Sequence, residues 1–321
     1  MNLKSIIKLT KKDMQEVNKI IINELNSDVL LIKKISKYII DSGGKKIRPI
    51  IAILIGKYLK YKGEKHINIA ALVEFIHTAT LLHDDVIDKS KIRRGKKTVN
   101  TIFGNSASIL IGDFIYSKSF QMMTNLGLMS ILKLMSDTTN IIAKGEIIQL
   151  MYTNNPNITE EIYMQIIYNK TARLFESTAI ASAIVSGANK IQKKAFQNYG
   201  RYLGIAFQLI NDISDYNIKN HNLNQNIGND LKEGKLTLPL LHLIQNGTKK
   251  ESDLIRKIIQ KGNGINFFKN IVFLMKHYGS IEYTYNKAKK SAYQAIRSIN
   301  KLPNSSFKKA LINLAVTLLK I

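Results

Sequence analysis

HINIAALVEFIHTATLLHDDVIDK, residues 66–89, is apolar for most of its length and closes on three carboxylates, Asp84, Asp85 and Asp88. The apolar residues recur at helical spacing, so the stretch predicts a helix with an acidic end. At 3.6 residues per turn, Asp84 and Asp88 lie about 40° apart around the axis and Asp85 about 100° from Asp84. Like charges crowded on one patch repel, and a hard divalent cation held by oxygen ligands relieves that repulsion. The chain has no Cys, and oxygen ligands without sulfur favour Mg²⁺ over zinc. The plainer reading, a solvated acidic helix end, has to be applied twice, because a second cluster, Asn211-Asp212-Ile213-Ser214-Asp215, follows.

Working outward, helical spacing extends over most of the 321 residues. With four prolines and 45% hydrophobic residues, the class is all-α with an ample core. Helices are expected near 10–41, 49–61, 66–89, 106–126, 129–152, 158–187 and 191–218, with shorter ones from 237 to 320. Gly43-Gly44 ends the first of these, and Pro239 sits just inside a helix start. An Asn-rich polar loop separates 219 from 235. No linker or composition break divides the chain, so residues 1–321 read as a single domain.

The amino terminus, MNLKSIIKLTKK, is interrupted by Lys too often to form a signal-peptide core, and no run of 18 apolar residues occurs. A cytoplasmic protein without a transmembrane segment is expected, one that touches membrane transiently to release its product. The formal charge of +25 invites a nucleic-acid reading. The Lys residues are spread along the whole chain, however, and the excess of Lys, Asn and Ile fits a nucleotide-composition drift. Aromatic and basic residues do not alternate as single-strand stacking platforms require, and no nucleic-acid-binding motif appears. No nucleic-acid partner is expected.

Two basic turns flank the acidic helix. Gly43-Gly44-Lys45-Lys46-Ile47-Arg48-Pro49 precedes it, and Lys91-Ile92-Arg93-Arg94-Gly95-Lys96-Lys97 follows. Guanidinium forks suit phosphate oxygens, and two basic sets imply two phosphate groups. His77 lies seven residues before Asp84 and so points within about 20° of the same face. Alone it reads as a core histidine, just as Lys170-Thr171 and Gln208 read as polar interruptions of apolar helices.

Together these segments resemble the trans-polyprenyl diphosphate synthases. The resemblance rests on residues 43–49, Leu82 to Asp88, Arg93-Arg94-Gly95, Lys170-Thr171, Phe207-Gln208-Leu209-Ile210-Asn211-Asp212 and Gly228-Asn229-Asp230-Leu231-Lys232-Glu233-Gly234-Lys235, and it spans nearly the whole chain in order. Residues 103–124 and 199–216 are most similar to the octaprenyl-type bacterial members. The resemblance implies an isoprenoid-synthase helical bundle around a deep central cavity, acting as a homodimer with two to three Mg²⁺ ions per active site. The implied reaction adds isopentenyl diphosphate units to an allylic diphosphate, farnesyl diphosphate by expectation, giving a C40 product for a quinone side chain.

Carried across residue by residue, Asp84, Asp85 and Asp88 match the first aspartate-rich motif, with Asp84 and Asp88 as direct metal ligands. Lys45, Arg48, His77 and Arg94 match the isopentenyl diphosphate contacts. Arg93, Lys170, Thr171 and Gln208 match contacts to the allylic diphosphate, and Lys235 matches a late phosphate-binding lysine. Asp212 and Asp215 match the second motif, whose first position, normally Asp, is here Asn211. The Gly-Asp-Asp pattern has likewise become Gly228-Asn229-Asp230. An amide oxygen still coordinates a hard cation but brings no charge, so a catalytically weakened partner subunit is one alternative; a shorter-chain C15–C20 synthase is another. Ala79 and Thr80, one turn before Asp84, are small, where the resemblance places a bulky aromatic in short-chain enzymes. A channel about 16 Å long is expected along Thr80, His77 and Val73, floored by Met122, Met123 or Met135.

Overall fold

The computed structural model describes residues 3–217 and 227–320. The helices, in chain order, are α1 (Leu3–Glu24), α2 (Leu30–Ser42), α3 (Ile47–Tyr58), α4 (Lys65–Ile87), α5 (Val99–Phe103), α6 (Asn105–Asn125), α7 (Met129–Met151), α8 (Glu160–Ile167), α9 (Arg173–Val185), α10 (Lys190–Asp215), α11 (Asn229–Lys232), α12 (Leu238–Asn246), α13 (Lys249–Gln260), α14 (Phe268–His277), α15 (Ser280–Asn300) and α16 (Ser306–Leu318). The strands among the described residues are two two-residue pieces, β1 (Ile92–Arg93) and β2 (Lys96–Lys97). The all-α expectation holds.

The first helix begins at Leu3 rather than near 10, and the structure departs further from the sequence reading. The helix expected over 10–41 is two helices, because Asn26-Ser27-Asp28 offers the backbone local side-chain partners; Ser27 Oγ accepts from the Val29 amide at 3.2 Å. The expected helix 158–187 is interrupted by a π-turn, Tyr168–Ala172, between α8 and α9. The basic loop 91–97 is a hairpin, pairing Ile92 with Lys97 and Arg93 with Lys96. Arg94 and Gly95 form its two-residue turn at φ 52° and 75°, the pair of positive values that a type I′ turn requires. Pro239 lies in the first turn of α12 as expected. Of the polar loop expected over 219–235, residues up to 226 lie outside the described residues, and the remainder carries α11.

The chain forms two compact units, each gathered from three stretches. Unit one comprises Met1–Thr139, Glu176–Gly200 and Ser298–Leu314, and unit two Asn140–Phe175, Arg201–Arg297 and Ala315–Ile321. In unit one, α3 is buried from Ile47 through Gly56, and α4 packs against α3, α6 and α1. Ile51, Ile53, Leu54 and Ile55 are fully buried, each contributing about 1.5–3 kcal/mol of transfer free energy. Two glycines set the close approach: a Cβ at Gly112 of α6 would meet His83 Nε2 of α4 at 2.3 Å, and one at Gly56 of α3 would meet His66 Cδ2 at 2.4 Å. This packing fixes the direction in which α4 presents its acidic end. Unit two closes around Tyr163, Leu209, Leu240, Leu243, Ile255 and Met275, with α8, α13 and α14 packed on α12. Among the described residues no helix is long and apolar enough to cross a membrane.

Candidate active site

In unit one the two basic turns and the acidic helix come together. Gly43, at φ 62°, ends α2, and Lys46, at φ 45°, precedes α3, so the chain turns sharply and places Arg48 in the first turn of α3. Arg48 is 7% exposed. Burial brings its pKa down to about 10, opposed by the neighbouring Glu74 and reinforced by Arg94, so it remains a cation at neutral pH. Arg94 reaches back from the hairpin turn to donate to the Gly43 carbonyl. Gly44 leaves room for this, since a Cβ there would lie 2.4 Å from Arg94 Nη1.

His77 has its pKa held well below the usual value by burial and then by Arg48, Arg94 and Arg93. It therefore presents a neutral ring, a hydrogen-bond donor without a further positive charge. Burial and Arg94 also lower the pKa of Lys45. Lys45, Arg48, His77, Arg93 and Arg94 thus share one neighbourhood. Glu74, one turn before His77, belongs there too: burial raises its pKa against the pull of Arg48, Lys46 and Arg94. The sequence reading missed it, although a lone carboxylate on an apolar helix three residues from His77 is a visible signal.

The three carboxylates of α4 separate by role. Asp85 is 4% exposed and takes both Nε and Nη2 of Arg93 on Oδ1, each at 2.8 Å. Burial raises its pKa and Arg93 opposes the rise. Asp84 and Asp88 are half-buried at the helix end, where the Asp88 amide donates to the Asp84 carbonyl at 2.8 Å. The expected single patch of three acids is a half-buried pair beside a buried, ion-paired third, and the fork of Arg93 is engaged by Asp85.

In unit two, the π-turn carries Lys170 and Thr171 into a cleft of about 610 Å³, also lined by Gln208, Asp212, Asp230 and Lys235. A π-turn inserts one residue into a helix and re-aims the side chains that follow. Thr171 Oγ1 donates to Gln208 Oε1 at 2.9 Å, and Gln208 Nε2 donates to Asp212 Oδ1 at 2.7 Å. The Tyr163 hydroxyl donates to Asp212 Oδ2. Burial raises the Asp212 pKa to about 7, with Asp230 adding to the rise and the Tyr163 and Gln208 hydrogen bonds opposing it. Lys170 Nζ contacts Glu146 Oε2 at 2.7 Å and Gln149 Oε1 at 2.8 Å. Lys235 pairs with Glu233 at 2.8 Å.

Asp215 accepts the backbone amides of Asn229 and Asp230 at 3.0 and 3.1 Å, capping α11. Burial raises its pKa to about 6 against those two bonds. Asn211 is exposed and does not line the unit-two cleft. Tyr163, Glu146, Gln149 and Asp230 are functional neighbours that the sequence reading did not single out. Asp230 lay in a quoted motif; Tyr163, seven residues before Lys170, carried only its helical spacing as a signal.

Asp84 and Asp88 in unit one, and Asp212 and Asp215 in unit two, are oxygen donors of the kind Mg²⁺ takes. Among the described residues no three His, Asp or Glu side chains form a ready-made metal cage. That suits Mg²⁺, which keeps several waters and is bound through one or two carboxylates plus substrate phosphates. The donor set therefore fits the ion.

The polyprenyl synthetase family model matches residues 29–272. The chain is 51% identical over 315 residues to the octaprenyl diphosphate synthase of Escherichia coli (strain K12), covering 98% of each chain. A polyprenyl synthase from Caulobacter crescentus CB15, crystallised with calcium and isoprenyl diphosphate, superposes with a TM-score of 0.96 at 33% identity, over 100% of this chain and 98% of that one. A decaprenyl diphosphate synthase from Rhodobacter capsulatus gives 0.93 at 34%, over 99% and 98%.

Proposed function

The chain belongs to the polyprenyl synthetase family, with its all-α isoprenoid-synthase fold, and from that premise we propose that it elongates an allylic diphosphate, farnesyl diphosphate, with isopentenyl diphosphate to an all-trans C40 product. The whole chain, 1–321, acts as one synthase domain. The observation that carries the reading is the unit-one cluster: Lys45, Arg48 and Arg94 around a neutral His77, beside the half-buried Asp84 and Asp88.

Each residue has a task its surroundings support. Lys45, Arg48 and Arg94 bind the isopentenyl diphosphate, and His77 adds a donor whose neutrality keeps it from repelling the arginines. Lys170 and Arg93, now engaged by Glu146 with Gln149 and by Asp85, are assigned to the allylic diphosphate, where their charge would offset that developing on departing pyrophosphate, with Lys235 as a further phosphate contact. Thr171 places its hydrogen on Gln208, so its lone pairs are what it turns toward the allylic cation. A hydroxyl and an amide stabilise that cation as dipoles while being too weakly nucleophilic to trap it. The isopentenyl double bond then attacks, and the released pyrophosphate accepts the proton. Asp84 and Asp88 in unit one, and Asp212, Asp215 and Asn211 in unit two, are the residues that would hold Mg²⁺, by expectation two to three ions per active site, which would supply Lewis-acid neutralisation of the diphosphate.

The same reading makes the protein a cytoplasmic homodimer that supplies a quinone side chain. A second reading, a weakened subunit that needs a partner synthase, is favoured by Asn211 and Asn229, which stand where the resemblance expects Asp. Mass analysis of the products from farnesyl and isopentenyl diphosphates with Mg²⁺ decides between them. A C40 product from the purified chain supports the first reading. A mainly C15 or C20 product overturns the chain length, and turnover only on mixing with a partner supports the second reading.

A further inference from the structure

The loop between α7 and α8 in unit two, residues 152–159, holds none of the residues assigned to the substrates above, yet it is built around a backbone that L side chains rarely adopt. Asn154 sits at φ 57°, in the left-handed region where Asn is enriched and a β-branched residue is a genuine outlier. The loop around it is fixed. The Asn155 amide donates to the Tyr152 carbonyl at 3.2 Å, the Asn157 amide to Asn155 Oδ1 at 3.0 Å, and Arg256 of α13 donates to the Pro156 carbonyl at 2.8 Å. Backbone of this kind persists only where its surroundings over-determine it, and it gathers at functional sites.

The left-handed turn aims the Asn154 amide at the end of α11, where it donates to the Gly234 carbonyl at 2.9 Å. There the Lys235 amide donates to the Asp230 carbonyl at 2.8 Å and the Gly234 amide to the Leu231 carbonyl at 3.4 Å. With Gly234 at φ 70°, this is a Schellman end to the helix. The Gly234 carbonyl and the Lys235 N–H are the two polar groups of one peptide. α11 holds one of them and Asn154 holds the other, so the plane of that peptide is pinned from both sides. The Asn154 side chain packs rather than bonds through its oxygen, which is buried with no hydrogen-bond partner among the described residues. A Cβ at Gly234 would collide with that oxygen.

Lys235 leaves the pinned peptide to line the cleft shared by Lys170, Thr171, Gln208 and Asp212. A lysine carries its charge on a flexible four-carbon stem, so the place its ammonium reaches depends on a fixed root, and a misplacement of about 1 Å in a binding group costs about 100-fold in rate. We propose that Asn154 is a positioning residue for Lys235: its left-handed backbone presents the N–H that fixes the peptide from which Lys235 reaches the allylic diphosphate. This rests on the reading of Lys235 as a contact to that diphosphate. Because the grip is a backbone N–H, position 154 requires the left-handed conformation and not the amide side chain.

The test is calorimetric titration, with Mg²⁺, of farnesyl thiodiphosphate, an allylic diphosphate whose bridging sulfur slows ionisation so that binding is read without turnover. Lys235→Ala is expected to weaken binding about 10-fold, the loss of one charge-assisted hydrogen bond. Asn154→Val, which disfavours the left-handed backbone, is expected to weaken it by about the same factor, and Asn154→Gly, which keeps both the conformation and the N–H, by less than about 2-fold. Should Asn154→Val not fold, Asn154→Ala carries the same expectation with a loss of about 3- to 5-fold. Asn154→Val/Lys235→Ala is expected to bind no more weakly than Lys235→Ala alone, since two residues that act through one contact are not additive. A double variant in which the two losses multiply would make Asn154 a purely structural residue and overturn the proposal. Unchanged affinity in folded Asn154→Val and Asn154→Ala, or an equal loss in Asn154→Gly, would overturn it too. A wild-type chain that does not bind the probe overturns the substrate reading and the role of Asn154 with it, whereas wild-type binding with any of those variant results overturns the role of Asn154 alone.

Discussion

Asn211 is the residue whose chemistry departs furthest from the pattern around it. It is exposed, one residue from the buried, doubly hydrogen-bonded Asp212. Restoring a charge there adds an anionic oxygen donor without disturbing packing. Asn211→Asp is therefore expected to lower the Mg²⁺ concentration for half-maximal activity by about 3- to 10-fold, since ligand charge count tunes cation affinity. An unchanged requirement in a Mg²⁺ titration of initial rate removes position 211 from the metal shell. A second residue-scale expectation concerns His66, 3% exposed in the first turn of α4. Burial lowers its pKa, with Asp13 opposing and Lys57 assisting. Below about pH 6.5 the unfolded chain takes up this proton before the folded one does, so stability falls as pH falls, by up to about 1.4 kcal/mol per pH unit. His66→Leu lacks the effect. Between pH 7 and pH 5 the wild-type Tm should fall relative to that variant, read by thermal denaturation at both pH values, and a constant gap would exclude the His66 contribution.

Among the elements, the π-turn Tyr168–Ala172 is closely approached by two glycines. A Cβ at Gly204 of α10 would lie 2.6 Å from Ala172 Cα, and one at Gly145 of α7 would lie 2.9 Å from the Lys170 amide nitrogen. Both contacts are with backbone, which cannot rotate out of the way. Gly204→Ala should cost about 1–3 kcal/mol of stability as an overpacking change and shift the turn that aims Lys170 and Thr171. Because a small misplacement of a positioned group costs about 100-fold in rate, kcat should fall far more than folded yield does. Steady-state kinetics beside a denaturation curve separates the two, and equal losses would reduce the turn to a packing feature. This element also shows where sequence reading stops. The helices around it follow from apolar periodicity, and Asn26-Ser27-Asp28 spells the break between α1 and α2. A π-turn differs from α-helix by one inserted residue, which periodicity does not register. The hairpin was hidden because Arg94 occupies a position with φ 52° where Gly, Asn or Asp is the usual signal. The acidic clusters and the two basic turns were legible from local spacing, whereas His77, Lys170, Thr171 and Gln208 entered only through the family resemblance. Glu74 and Tyr163 were not, because tertiary packing is what aims one among the arginines and the other at Asp212.

At the scale of the molecule, the interleaving of two units from alternating stretches was beyond local pattern, since contacts between distant segments leave no periodic trace. Product length is the property in which the whole chain is read out, because it reports how far a growing tail extends before something blocks it. Of the α4 face expected to line that path, His77 and Thr80 are half-buried, whereas Val73 is fully buried. Met123 and Met135 are fully buried and Met122 is 6% exposed, as a core-packing role also requires. The face available to a tail is therefore the one that Thr80 holds, with its hydroxyl tied to the His77 carbonyl at 2.8 Å. One helical turn, about 5.4 Å, separates Thr80 from Asp84, so a phenyl ring at position 80 meets the tail after the first additions. Thr80→Phe is expected to move the dominant product from C40 to C15–C20 while the Mg²⁺ requirement stays unchanged. Mass analysis of extracted products checks the first expectation and a Mg²⁺ titration the second. A shortened product with an altered metal requirement would mean that the ring disturbs Asp84 itself, and an unshortened one would move the tail to another face of α4.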